Sequence, residues 1–190
     1  ILFLPFLLRA QDQAKLDSLN TLLEMAEYDT TKASLLIDIG KEYGKGNYEV
    51  AEGKFEQALS YAQKAGSKKW EAVALHAIGF IYLNKGNWEE ALRRYNRCIK
   101  IGKALGDKKI IANALCDIGH IENSLGNYEE AVSYYNRSLK IYEEIGDKKG
   151  IALISNSLGV IFLSQGNFEQ ALAHFSKSLK IAEELGIKKF

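Results

Sequence analysis

Residues 126–152 read "GNYEEAVSYYNRSLKIYEEIGDKKGIA", and the chain repeats this stretch with small changes. Residues 86–112 read "GNWEEALRRYNRCIKIGKALGDKKIIA", residues 166–190 read "GNFEQALAHFSKSLKIAEELGIKKF", and a looser version occupies residues 46–72. Each copy therefore begins 40 residues after the one before it. A fixed period of this size is the sequence signature of stacked repeats, because one such unit cannot bury its apolar face alone. The sequence predicts four stacked units.

Each unit is predicted to contain two helices. In the quoted stretch, apolar and aromatic residues step by three and four positions from Tyr128 to Ile145, which makes one continuous stripe on a helix. Gly146 is suited to end that helix in a left-handed conformation, and Asp147 can cap the helix that follows. Each unit is thus two antiparallel helices joined by tight turns.

Small and aromatic residues recur at fixed positions of the repeat. Small residues let neighbouring helices approach, and aromatic rings fill the space beside them. The first interval between the first-helix glycines is 39 instead of 40, because the turn from Tyr43 to Gly46 has one residue fewer. The recurrent glycines of the first helices are Gly40, Gly79, Gly119 and Gly159, and the recurrent aromatic residues of the second helices are Phe55, Tyr95, Tyr135 and Phe175.

This pattern resembles the tetratricopeptide repeat over roughly residues 30 to 190. The unit is longer than the commonest form of roughly 34 residues, and Gly-Asp-Lys-Lys replaces the usual proline after the second helix. The resemblance is to the long-repeat subclass and to exported bacterial regions of signalling proteins. It implies an all-α fold, a right-handed α-solenoid (superhelix) of antiparallel helix pairs with four repeats and an N-terminal helix. The residues that carry the resemblance are Gly79, Tyr82, Gly86, Ala91, Tyr95 and Cys98.

The predicted organisation begins with the apolar stretch "ILFLPFLLRA" at residues 1–10, interpreted as a signal-peptide remnant or an apolar tail. Its eight leading apolar residues are too few to cross a bilayer, which needs about twenty. A signal would place the protein in the periplasm or on the surface of a bacterium, and its absence would leave the protein cytoplasmic. An N-terminal helix is predicted at 11–28. The repeats of the solenoid at 29–190 are predicted at 29–66, 67–106, 107–146 and 147–186, and 187–190 would start a further repeat.

Composition excludes several classes of partner and site. The formal net charge is only +1, so bulk attraction to nucleic acid is not predicted. Two cysteines are too few for a disulfide framework or a four-cysteine zinc site. Nothing in the repeats is apolar enough for direct insertion into a membrane. The resemblance to the tetratricopeptide repeat implies that the partner is a protein or peptide.

The resemblance also implies where that partner would bind. In this family the first helices of successive repeats line a concave groove, and here it would accommodate on the order of ten residues of extended peptide. The side chains do not match the Lys/Asn/Arg set with which chaperone-binding relatives hold a C-terminal carboxylate. The predicted groove residues are Asp38, Lys41, His76, Phe80, Asn84, Asn113, Asp117, His120, Asn123 and Asn156.

One group of residues raises the question of a metal site. Cys116 and His120 share a helix face, Asp117 lies beside them, and His76 occupies the Cys116 position one repeat earlier. The spacing fixes no fourth ligand, and the equivalent position of the last repeat is Asn156, a poor zinc ligand. We therefore predict ordinary groove-lining side chains, with no metal, no cofactor and no catalytic residues.

The function predicted from the sequence is a non-enzymatic protein- or peptide-binding scaffold, as the sensor or interaction region of a larger bacterial signalling protein. The alternative is a self-assembling structural array, a homo-oligomer joined through uncapped terminal repeats. Catalysis by a Cys116–His120 pair is disfavoured, because no orienting group or oxyanion site is identified. A third hypothesis, a metal-dependent enzyme around the same two residues, would be tested by metal analysis of the purified protein.

Overall fold

In a computed structural model, the structure describes residues 4–186, with side chains from residue 12 onward. These residues form nine helices and no strand. The all-α architecture of consecutive helix pairs predicted from the sequence is confirmed for this part of the chain. The helices are α1 (Leu4–Met25), α2 (Asp29–Tyr43), α3 (Tyr48–Lys64), α4 (Lys68–Asn84), α5 (Trp88–Leu105), α6 (Lys108–Ser124), α7 (Tyr128–Ile145), α8 (Lys148–Ser164) and α9 (Phe168–Glu184).

The N-terminal helix differs in extent from the predicted range 11–28. It begins at Leu4 and ends at Met25, so the helix continues through residue 10, where the predicted signal remnant or apolar tail ends. No glycine interrupts this segment, and Pro5 is tolerated because it lies in the first turn of the helix. The signal function itself stays a prediction. The further repeat expected at 187–190 lies outside the described residues.

The turns follow from the glycines and from the polar residues beside them. Gly146 has φ = 69°, a left-handed conformation that costs glycine nothing, and it ends α7. One residue later, Asp147 accepts a hydrogen bond from the backbone N–H of Gly150 at 3.1 Å and so caps α8. Among the described residues, seven turn glycines including Gly146 adopt positive φ, but Gly46 in the shorter first turn does not.

The described residues divide into two compact units, one up to Ile101 and the other from Gly102 onward. In the first unit, α2 packs against α3 and α4, and α1 packs against α2. In the second, α6 packs on α7, α7 on α8, and α8 on α9, around a core that contains Cys116, Tyr135, Tyr142 and Leu158.

Within each helix pair, the ring of the second helix lies against the glycine of the first. A methyl group added to Gly79 would come within 2.8 Å of Tyr95, and one added to Gly119 would come within 2.7 Å of Tyr135. Such distances are closer than packed side chains tolerate, so these positions require glycine. The other two pairs that touch in the same way are Gly40 with Phe55 and Gly159 with Phe175.

A small polar side chain closes the other end of three of these pairs. Ser138 donates a hydrogen bond to the carbonyl oxygen of Ala112 at 2.8 Å, and Ser178 does the same to Ala152. The thiol of Cys98 makes the equivalent contact with Ala72 at 3.4 Å. In these three pairs, the small residue of the second helix therefore donates a hydrogen bond to the first helix.

Glu71 is a buried carboxylate in α4 with only 3% of its surface exposed. It accepts hydrogen bonds from Lys68 at 2.8 Å and from Arg97 at 2.5 Å. Burial by itself would raise the pKa of Glu71, but the hydrogen bonds from the two cations outweigh burial and lower that pKa below its ordinary value of 4.5. The two hydrogen-bond donors therefore favour the charged form of the Glu71 carboxylate although its side chain is buried.

Because the pKa of Glu71 is lower in the folded than in the unfolded chain, the unfolded chain binds the proton more readily in acid. The stabilisation is fully present above pH 4.5 and is lost as the pH falls through the folded-state pKa. We expect Glu71→Gln to lower the free energy of unfolding at pH 7 by about 1–2 kcal/mol and to flatten the acid decline. Urea denaturation between pH 3 and 7 measures both. Parallel declines in the wild type, Glu71→Gln and Arg97→Gln would contradict the prediction.

Within residues 4–186, no helix combines the length and the apolar character needed to cross a bilayer.

Candidate functional site

A cavity of about 280 Å³ lies between α2 and α4 in the first unit. Its wall includes two of the predicted groove residues of α4, His76 and Phe80, and one of α2, Lys41. Phe80 is 47% exposed, so part of its side chain is accessible to a partner. The other residues that line the cavity are Gly44, Lys45, Phe55, Ala77 and Ile81.

The cavity is apolar inside and polar at its rim. The two lysines at the rim already have acidic partners: Lys41 pairs with Asp38 at 3.0 Å, and Lys45 pairs with Glu42 and with Asp12, the latter at 3.3 Å. Their charge is therefore largely compensated, and little of it remains to attract an anion. The geometry suits an uncharged apolar side chain whose neighbouring backbone would lie over the polar rim.

Two further side chains of α4 have internal partners. The ring of His76 lies 5.6 Å from the ring of Tyr95, centroid to centroid. The amide of Asn84 donates a hydrogen bond to the carbonyl oxygen of Phe80 at 2.7 Å. Asn84 therefore lies at the exposed C-terminal end of α4 with its amide partly engaged by its own helix.

In the second unit, Asn113 lines a separate cavity of about 210 Å³ between α6 and α8. Its side-chain oxygen accepts a hydrogen bond from the hydroxyl of Tyr142 at 2.7 Å. The exposed Leu153 forms part of the opposite wall. Of the remaining predicted residues, Asn123 is half-buried near the end of α6, and Asn156 is exposed in the middle of α8.

Asp117 and His120 converge with Cys116 on α6. Ligand atoms of the three side chains lie within 4.8 Å of one another. The Nδ1 atom of His120 is 2.7 Å from the hydroxyl of Tyr135 on α7, and the two rings meet edge to face at 5.3 Å. Burial lowers the pKa of His120, against a smaller opposing effect of the Asp117 carboxylate, and burial raises the pKa of the Cys116 thiol.

The structure thus gathers the predicted groove residues into local groups within each unit, and their role in binding stays a prediction. Residues that the sequence did not single out as site residues contribute to both cavities. Phe55 was identified from its fixed position as a packing residue, but its ring also forms part of the first cavity. Tyr142 lay in the predicted apolar stripe, and nothing in the sequence indicated its bond to Asn113.

A sequence model of the tetratricopeptide repeat matches residues 41–104 and 110–184, which together make up more than half of the chain. A comparison with curated proteins finds no match.

Solved structures with the same fold include a Rap protein complexed with Competence and Sporulation Factor, at 22% identity and a TM-score of 0.84, over 94% of this chain and 51% of that one. Aspartyl phosphate phosphatase F from Bacillus subtilis is similar at 16% identity and a TM-score of 0.82, over 93% of this chain and 50% of the phosphatase. MamA is similar at 17% identity and a TM-score of 0.61, over 95% of this chain and 94% of MamA.

This chain spans about half the length of the first two proteins. At these identities the likeness shows the fold alone, so the phosphatase activity in one name is not carried over. The repeat match and the paired helices agree with each other. The chain belongs to the tetratricopeptide repeat family and has the all-α solenoid fold of a protein-interaction scaffold.

Proposed function

We propose that the protein is a non-enzymatic scaffold that binds a protein or peptide, and that the cavity between α2 and α4 receives an apolar side chain of this partner. The observation that carries the proposal is the half-exposed ring of Phe80 in the wall of an apolar cavity. Aromatic anchors in such cavities commonly dominate the binding free energy of an interface. The complex of the similar Rap protein with Competence and Sporulation Factor supports partner binding by this fold.

The cavity and its rim also predict the chemistry of the partner. An aromatic or large aliphatic side chain would fill the space beside Phe80 and Ala77. The compensated charges of Lys41 and Lys45 offer no strong attraction for a carboxylate. Binding is therefore expected to depend weakly on salt, because few unpaired charges take part.

Phe80→Ala tests the proposal on peptides selected from a phage-displayed library of random decamers. We expect selected peptides to share one large apolar residue. We also expect Phe80→Ala to weaken binding of a fluorescein-labelled selected peptide by roughly 10- to 30-fold, about 1.4–2 kcal/mol. Fluorescence anisotropy measures this change. The matched control is Val160→Ala, because Val160 is 48% exposed and occupies the same repeat position in α8.

Two outcomes would contradict the proposal. One is equal binding by the wild type and Phe80→Ala. The other is selection of acidic peptides whose binding depends on Lys41 and Lys45. Light scattering on the same preparations tests the alternative of self-assembly, since a mass that rises with concentration from the 21.2 kDa of one chain would favour an array. The signalling role stays a prediction. The exported location also stays a prediction, and detection of the protein outside the cytoplasm after cell fractionation would test it.

A further inference from the structure

We propose that Cys116, Asp117 and His120 form a binding site for a zinc-like divalent transition-metal ion in the second unit. The three side chains offer a sulfur, an oxygen and a nitrogen ligand, all within 4.8 Å of one another. Zinc takes this set of ligand types in proteins. The site goes beyond the proposed peptide binding and depends on no residue of the first cavity.

The spacing of the ligands is close to what a zinc ion requires. Bonds of about 2.0–2.3 Å in tetrahedral geometry place ligand atoms roughly 3.3–3.7 Å apart. Cys116 is buried in the core of the second unit and fixes one corner of the site. Asp117 and His120 are only half-buried, so small rotations of their side chains can shorten the distances between the ligand atoms to those required around a bound ion.

A neighbouring tyrosine supports the imidazole in the way that ligating histidines are usually supported. The hydroxyl of Tyr135 is 2.7 Å from Nδ1 of His120. Coordination through Nε2 would leave this hydrogen bond intact and would use it to fix the orientation of the ring. Such outer partners of a ligating histidine typically contribute about 10- to 100-fold to metal affinity.

The arrangement is confined to one repeat. The corresponding positions are Ile37, Asp38 and Lys41 in the first repeat, His76, Ala77 and Phe80 in the second, and Asn156, Ser157 and Val160 in the fourth. Only the third repeat places three metal-ligating side chains there. General requirements of the fold therefore do not explain this set of residues, since the other repeats adopt the same helix pair without it.

Binding would replace the thiol proton of Cys116 by the metal ion and release that proton to solvent. The thiolate, the carboxylate and the imidazole would occupy three of the four positions that zinc prefers. The fourth would take a water molecule from the partly exposed side of Asp117 and His120. The inference concerns binding of the ion and assigns no reaction to it.

The test uses Co²⁺ and Zn²⁺ with the full, reduced chain after removal of metals by a chelator. We expect Co²⁺ to produce the near-ultraviolet charge-transfer absorption of a cobalt–thiolate bond, saturating at one ion per chain, and Zn²⁺ to displace it. Cys116→Ser should abolish the absorption. Cys98→Ser is the matched control, because Cys98 is the other buried cysteine and its sulfur donates a hydrogen bond to the carbonyl oxygen of Ala72.

Two further variants keep the test decisive if Cys116→Ser fails to fold. Asp117→Asn changes a half-buried side chain and should weaken Zn²⁺ binding by at least about tenfold. Tyr135→Phe keeps the buried ring and should weaken it by about 10- to 100-fold. Far-ultraviolet circular dichroism verifies folding of each variant, and isothermal titration calorimetry measures the affinity for Zn²⁺.

Three results would overturn the inference. They are the absence of the charge-transfer band in the wild type, its persistence in a folded Cys116→Ser variant, and unchanged Zn²⁺ affinity in Asp117→Asn and Tyr135→Phe. Peptide binding at the first cavity, measured with and without chelator, is expected to be the same.

Discussion

Replacing Tyr95 by alanine is expected to lower the free energy of unfolding by about 3–5 kcal/mol. The ring is fully buried and lies directly against Gly79, so its removal leaves a cavity that the rigid backbone of α4 cannot fill. Urea denaturation followed by circular dichroism measures the loss. Tyr48→Ala is the control in the same unit, because Tyr48 is 39% exposed, and it should cost less than about 1 kcal/mol. Similar losses in the two variants would contradict the packing described for Tyr95.

The second large effect comes from the opposite change, the addition of one methyl group at Gly79. The added carbon would lie 2.8 Å from the ring of Tyr95, and we expect Gly79→Ala to lower the free energy of unfolding by about 1–3 kcal/mol. Gly53→Ala is the matched control, since Gly53 is exposed in α3 with nothing within 4 Å of an added methyl. It should raise the free energy by about 0.5–1 kcal/mol, because alanine is the better helix former.

A double-mutant cycle joins the two predictions. If the penalty of Gly79→Ala comes from contact with Tyr95, it should largely disappear in the Tyr95→Ala background, where the added methyl enters the cavity. Chemical denaturation of the two single variants and the double variant provides the coupling free energy. Additive losses would show that the glycine is required for a reason other than the ring.

The sequence predicted the helix pairs and their turns well, because one physical pattern repeats along the whole chain. The apolar stripe, the turn glycine and the capping residue agree at each repeat, as around Gly146 and Asp147. The glycine–aromatic contacts were also predictable in kind. Their fixed positions indicated that a small residue and a ring face each other before any distance was known.

Features that depend on a single repeat could not be predicted in this way. Glu71 lies where the following repeats have Ile111 and Ile151, so the pattern predicts an apolar residue there. Its burial depends on Arg97, which lies 26 residues away on the next helix. The start of α1 at Leu4 was also missed. The apolar composition of residues 1–10 differs from that of the following residues, but one continuous helix includes both.

The candidate sites were predictable only in part. Register placed His76 and Phe80 on the same helix face, and in the structure both line one cavity, although their role in binding stays a prediction. The sequence register did not show that Lys41 and Lys45 pair with acidic neighbours, because such pairing depends on side-chain conformations. The sequence also brought Cys116, Asp117 and His120 together on one helix, although we predicted no metal site from it, and nothing in the sequence indicated the contact of His120 with Tyr135.

The glycine–ring contact and the small polar hydrogen bond both join the two helices of the same repeat, as Gly119 with Tyr135 and Ser138 with Ala112 illustrate. A DNA segment that encodes one such helix pair therefore encodes both partners of each of these contacts. Intragenic duplication or loss of 120 nucleotides, about 40 codons, would add or remove a self-consistent module without requiring compensating substitutions inside it. This independence gives an evolutionary reason for the similarity of the copies.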